Sequence, residues 1–149
     1  MPPPTHPTPA RPAVATTLDG RRLHFVGIGG SGMSGLAKLA QQRGAVVTGS
    51  DRGPSPAVEA LREAGLGVVL EPTAASVPES CDTVVSSAAI PPDHAEVVEA
   101  RRRGVEVVKY AAMLGRLMAN AQTTGVAIAG THGKSTTTSI LCHILLQAD

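Results

Sequence analysis

The chain of 149 residues is long enough for one domain with a substantial core. Its 13 basic and 12 acidic side chains leave a formal charge of +1, and its aromatics are one Phe and one Tyr, which argues against electrostatic capture by nucleic acid or an acidic membrane and against a base-stacking platform. No apolar run approaches the roughly 20 residues that span a bilayer, and the N-terminus lacks the apolar core of a signal peptide, so a cytoplasmic protein is expected.

Residues 1–17 carry prolines at 2, 3, 4, 7, 9 and 12 and are expected to form a disordered tail. From Leu23 onward the pattern alternates strand and helix. Residues 23–28 read as a buried strand, followed by a glycine turn and a helix with Met33, Leu36, Ala37 and Ala40 at helical spacing, closed by Gly44. A second strand over 45–49 ends at Ser50-Asp51, and a helix over 57–64 turns Val58 and Leu61 inward before stopping at Gly65. Short strands are expected at 67–70 and 83–86, a helix over 94–103 capped by Gly104, a fifth strand over 105–109, and then a helix with the stripe Met113, Leu114, Leu117 and Met118. Five strands with intervening helices predict an α/β fold, a doubly wound parallel sheet.

A boundary is expected at the polar stretch 120–124, before an apolar run over 126–129 that reads as a strand feeding a second glycine-rich loop. That loop is Gly130-Thr131-His132-Gly133-Lys134-Ser135-Thr136, and it opens a helix marked by Ile140, Leu141, Ile144 and Leu145. Glycines let backbone amides approach phosphate oxygens, a helix N-terminus adds partial positive charge, a lysine supplies a full one and a hydroxyl can ligate Mg²⁺. The spacing is a shortened variant of the P-loop, since Ile128 stands where the longer motif has its first glycine. A strand, loop and single helix cannot cover both of their apolar faces, so a complete first domain over 18–122 and the opening of a second over 123–149 are expected.

The earlier turn, Gly27-Ile28-Gly29-Gly30-Ser31-Gly32, satisfies the Gly-x-Gly-x-x-Gly fingerprint of nucleotide-binding folds, and Asp51 lies at the end of the second strand, about 20 residues on. This pattern leaves the nucleotide open: Asp51 suits the ribose hydroxyls of NAD or the ribose or base of a uridine nucleotide. Ser86-Ser87-Ala88-Ala89-Ile90, at the end of the fourth strand, falls on the same carboxyl edge. Cys81 and Cys142 lack Cys-x-x-Cys spacing and are expected as reduced, buried thiols, not metal ligands. His24, His94 and His143 stand isolated in the sequence, with no chemistry assigned to them.

Taken in order, the stretches 24–35, Gly49-Ser50-Asp51, Val84-Val85-Ser86-Ser87-Ala88 and 129–138 resemble the Mur ligases of bacterial peptidoglycan synthesis, most of all their alanine-adding branch. The resemblance implies a Rossmann-like parallel sheet with flanking helices that holds the UDP part of a substrate, followed by the start of a P-loop ATPase domain. Carried over, Gly29, Gly30, Ser31, Gly32, Met33 and Asp51 face the uridine diphosphate, with Ser87 and Ala88 nearby. Gly130, Thr131, His132, Gly133, Lys134, Ser135 and Thr136 hold ATP, with Lys134 on the β/γ oxygens and Ser135 on Mg²⁺. The implied reaction joins L-alanine to UDP-N-acetylmuramate, although this piece alone is expected to be inactive. The rival readings are a ligase that recycles whole peptides onto the same sugar nucleotide, an NAD-dependent dehydrogenase, and a non-catalytic nucleotide-binding module. The sequence departs from the family at Asp93-His94-Ala95-Glu96, where Asn-Pro-Glu is usual, and at Lys109-Tyr110-Ala111-Ala112.

Overall fold

A computed structural model describes residues 18–119 and 124–148. The expected tail, and all of the expected boundary over 120–124 except Thr124, lie outside the described residues.

The first described segment alternates strand and helix: β1 (Arg22–Val26), α1 (Ser31–Gln42), β2 (Val46–Asp51), α2 (Pro56–Glu63), β3 (Gly67–Leu70), β4 (Thr83–Ser86), α3 (Ala95–Arg102), β5 (Glu106–Lys109) and α4 (Tyr110–Met118). All neighbouring strands pair in parallel, in the order β3-β2-β1-β4-β5. The strand β1 is therefore central, and the chain winds outward from it in both directions. That order creates a switch point at the carboxyl ends of β1 and β4, where open α/β sheets leave a crevice.

Side chains alternate across the strands, so the sheet builds a core on each face. On one face Leu23, Phe25, Val47, Val85 and Val108 pack with Met33, Leu36, Ala37 and Ala40 of α1, Leu61 of α2, and Met113 and Leu117 of α4. On the other, Val26 and Val84 pack with Ala100 of α3, together with Val77 and Cys81. The helix ends follow their sequence signals. Ser55 caps α2 by accepting from the Val58 amide, with Pro56 at the first helical position. Gly44, Gly65 and Gly104 follow α1, α2 and α3 with positive φ, where a side chain would strain the backbone.

In the second described segment α5 spans Lys134–Gln147, and none of its residues is buried. The run over 126–129 is not a strand: residues 124–130 have no regular structure. A strand exists through its ladder to a neighbour, and this run pairs with no strand of the described sheet.

Candidate functional site

The glycine turn carries the chain from the middle of the sheet into α1. Gly27, with φ of +77°, makes the reversal, and its amide and that of Ile28 both donate to the Ser50 carbonyl at 2.9 Å. The Gly29 amide then donates to Asp51 Oδ2 at 2.7 Å, while Asp51 Oδ1 accepts from the Arg52 amide at 2.8 Å. Gly29 has no room for more: a Cβ there would lie 2.8 Å from Asp51 Oδ2 and 2.9 Å from Val58. Gly30 caps α1 without a side-chain hydrogen bond, and the Ser34 amide is the one that reaches back to the Gly30 carbonyl. The preceding first-turn amides, of Ser31, Gly32 and Met33, are thus the helix's offer to an anion. Gly32 lies against Tyr110, whose ring a Cβ would meet at 3.0 Å. At Met33 side chain and backbone have different surroundings. Its side chain is buried in the core at helical spacing with Leu36 and Ala37, so only its backbone can face a ligand.

Beside this turn, at the carboxyl edge, lies a cavity of about 600 Å³. The ends of β1 and β2 supply Val26, Gly27, Ser50, Asp51 and Arg52; Glu71 and Pro72 follow β3; Ile90 and His94 come from the connection between β4 and α3. Glu71 has φ of 54°, a left-handed backbone that is uncommon outside glycine. Ser87 is half-buried and Ala88 exposed in the turn after β4. That turn is clamped by Lys109, whose ammonium donates to the carbonyls of Ser87 at 3.2 Å and Ile90 at 2.8 Å.

Two histidines that stand isolated in sequence are not isolated in space. His24 and Glu96 are both fully buried, and His24 Nε2 donates to Glu96 Oε1 at 2.8 Å. Glu96 Oε2 accepts from the Ser50 hydroxyl at 2.8 Å, and His24 Nδ1 lies 2.9 Å from Thr48 Oγ1. His94 Nδ1 stands 3.7 Å from Glu96 Oε2. The partners of His24 are 24 and 72 residues away, brought together because β1 and β2 are adjacent and Glu96, in the first turn of α3, reaches over both. His143 is exposed. Cys81 is buried as expected, and burial pushes its thiol above the ordinary range. Cys142, expected to be buried, is exposed because nothing among the described residues covers its side of α5.

The second loop is exposed throughout from Gly130 to Thr136. Gly133, with φ of +75°, caps α5 without a side-chain bond, and the first amide bonded inside the helix is that of Thr137. The amides of Lys134, Ser135 and Thr136 precede it. The Lys134 ammonium folds back over the loop and donates to the Gly130 carbonyl at 2.7 Å and that of Thr131 at 3.4 Å. Donors therefore converge at this helix start, as at the first turn.

The family model described as "Mur ligase family, catalytic domain" matches residues 22–122, from β1 past the end of α4. The chain belongs to the Mur ligase family. Among its relatives, the UDP-N-acetylmuramate–L-alanine ligase of Azoarcus sp. is 48% identical over 127 residues, covering 85% of this chain and 27% of the relative. The enzyme of that name from Nocardioides sp. is 50% identical over 127 residues, covering 85% of this chain and 28% of the relative. The crystal structure of UDP-N-acetylmuramate-alanine ligase from Thermotoga maritima superposes with a TM-score of 0.77 at 31% identity, covering 83% of this chain and 29% of that one. A murein peptide ligase from Psychrobacter arcticus gives the same TM-score at 34% identity, covering 87% and 27%. The chain thus spans little more than a quarter of the length of these relatives. Within this Mur ligase chain, the residues missed from sequence are Lys109, His94, His24 and Glu96. The signal for the last pair was faint: two polar residues at positions where the periodicity asks for core.

Proposed function

We propose that this chain is the N-terminal part of an ATP-dependent ligase that joins L-alanine to the lactoyl carboxylate of UDP-N-acetylmuramate in the cytoplasm, for peptidoglycan precursors. In this reading residues 18–122 bind the sugar nucleotide and residues 123–149 open the ATP-binding domain. The observation that carries the reading is the succession, in one Mur ligase chain, of two helix starts built for phosphate: the Asp51-anchored glycine turn and the loop of Gly130 to Ser135. The name shared by relatives at close to half identity supports the choice of substrates.

At the first site the amides of Ser31, Gly32 and Met33 face the diphosphate, Gly29 and Gly30 let the chain approach it closely with their own amides bonded to Asp51 and Gly27, and Asp51 and the Ser87-Ala88 turn contact the nucleoside. At the second, the amides of Gly130 to Thr136 and the Lys134 ammonium receive the ATP phosphates. The residues fit that group, because the loop presents donors and a cation and no carboxylate. Among the described residues no cluster of three His, Cys, Asp or Glu side chains exists to hold a metal by itself. Ser135 would therefore hold Mg²⁺ jointly with phosphate oxygens, and the ion would neutralise charge on the transferring phosphoryl group. Phosphorylation of the lactoyl carboxylate makes an acyl phosphate, the amine of L-alanine attacks its carbonyl carbon, and inorganic phosphate leaves. The part played by Lys134 is positioning and charge neutralisation, not proton transfer.

The superposition on a murein peptide ligase supports a second reading, in which a peptide replaces L-alanine. Phosphate release from ATP, measured on the full-length ligase with UDP-N-acetylmuramate and either acceptor, separates the two. The alanine reading predicts turnover with L-alanine; turnover with the peptide alone would replace it by the second. Lys134→Ala should lower the rate about 100-fold or more, with sugar-nucleotide affinity unchanged. Loss of both together would refute the division into two sites.

A further inference from the structure

Glu96 is fully buried in the first turn of α3, and each of its carboxylate oxygens holds a different strand of the sheet. Oε1 accepts from His24 Nε2 of β1 at 2.8 Å, and Oε2 accepts from the Ser50 hydroxyl of β2 at 2.8 Å. Across the imidazole, His24 Nδ1 lies 2.9 Å from Thr48 Oγ1, so the bonds run from β2 through β1 and Glu96 back to β2. Stability alone does not call for this network, since well-packed apolar side chains in place of a buried ionic pair are often neutral or stabilising. What a satisfied polar network adds is one geometry, because its bonds are short and directional.

That geometry is delivered to the glycine turn through Ser50, which is held at both of its polar ends. Its hydroxyl donates to Glu96, and its carbonyl accepts from the amides of Gly27 and Ile28 at 2.9 Å. The next residue, Asp51, accepts from the Gly29 amide at 2.7 Å. Three consecutive amides of the turn are thus bound to Ser50-Asp51, and they fix where the free amides of Ser31, Gly32 and Met33 point. The ladder between β1 and β2 ends at the pair Val26 and Ser50, so no further pairing with β1 steadies the turn beyond it. The Glu96 bond supplies a side-chain anchor at that last rung.

Resting on the nucleotide reading of this domain, we propose that Glu96 is a positioning residue for the phosphate-binding turn. It is fully buried and does not line the cavity, so it touches no ligand there and acts through the Ser50 hydroxyl. His24 completes the device by holding the other oxygen of the same carboxylate, which keeps Oε2 aimed at Ser50.

The test is calorimetric titration of the 149-residue chain and its variants with UDP and, separately, with NAD, alongside hydrogen exchange of individual backbone amides. Ser50→Ala removes the link to Glu96 and leaves the Ser50 carbonyl in place. It should weaken UDP binding about tenfold, the loss expected for one hydrogen bond to a charged group. The same variant should speed exchange of the Gly27, Ile28 and Gly29 amides by a larger factor than that of the β1 amides, which report opening of the whole sheet. Glu96→Ala should give the same pattern. The double variant should bind UDP no more than about twofold more weakly than Glu96→Ala alone, because two residues that act through one bond are not additive. Glu96→Gln should return UDP affinity to within about threefold of the wild type. Its amide oxygen accepts from Ser50 and its nitrogen donates to His24 Nε2, with the imidazole proton on Nδ1 facing Thr48. A lower melting temperature in S50A with unchanged UDP affinity, or exchange at the turn that rises only as much as in β1, would overturn the proposal. So would losses that add in the double variant, or a glutamine that rescues nothing. Binding of NAD and not UDP, with the same loss in S50A, would refute the sugar-nucleotide reading and leave the role of Glu96 standing. Binding of neither by the wild type would refute both.

Discussion

Glycines at the carboxyl edge of the sheet are fixed by what surrounds them. Gly49 is the tightest: a Cβ there would lie 2.5 Å from Ile28 Cδ1 and 2.7 Å from the Phe25 carbonyl oxygen. Ile28 is fully buried over β2, and the Phe25 carbonyl belongs to the ladder, so neither can yield without moving the turn. Gly49→Ala should therefore destabilise the chain by about 1–3 kcal/mol, and urea unfolding monitored by circular dichroism measures it. An unchanged midpoint would mean that the turn is looser than its hydrogen bonds to Ser50 imply. The fingerprint glycines and Asp51 were legible in the sequence because their spacing is local to one strand–turn–helix unit. Gly49 was legible only as part of a motif, and the reason for it, the Ile28 side chain, is tertiary. His24 and Glu96 were not legible as a pair, because nothing short of the sheet order brings residues 72 apart into contact.

Elements were read well wherever their ends carry local chemistry. The strands over 67–70 and 83–86 and the helices ended by Gly44, Gly65 and Gly104 stand where turn residues and periodicity place them. The ends of β1 and β2 were read less well. Apolar character continues through Ile28, but Gly27 ends β1 at Val26; β2 runs on to Asp51 because Asp51 pairs with Leu70 of β3. Those two differences are what set Asp51 opposite the Gly29 amide. At the far edge, β5 and α4 are tied by Glu106, which accepts from both Arg116 guanidinium nitrogens at 2.6 and 3.0 Å. The hydrogen bonds from Arg116 hold the Glu106 carboxyl below its ordinary range, outweighing a small opposing effect of burial. A depressed carboxylate contributes stability that is fully present above the unfolded value, about pH 4.3, and that fades as pH falls through the lower folded value. Both side chains are more than 40% exposed, so the contribution should be at most about 1 kcal/mol. Glu106→Gln should lower the midpoint of thermal unfolding modestly at pH 7 and progressively less below pH 4.3. An equal deficit at pH 7 and pH 3 would mean that the pair acts by packing.

The order β3-β2-β1-β4-β5 is the feature from which the function follows. It places the ends of β1, β2, β3 and β4 around one cavity, beside the start of α1 with its amides, and leaves β5 to brace the fourth strand's turn through Lys109. That arrangement serves many nucleotides, and the glycine fingerprint alone does not choose between a sugar nucleotide and NAD. Membership of the Mur ligases favours the first, and so does the lysine-bearing loop that opens α5. The measurement that tests this most directly is calorimetric titration of the 149-residue chain with UDP-N-acetylmuramate and, separately, with NAD. The account predicts a single site for UDP-N-acetylmuramate that Asp51→Ala weakens at least about tenfold, with no heat from NAD at the same concentrations. Saturable NAD binding, with none for the sugar nucleotide, would contradict it.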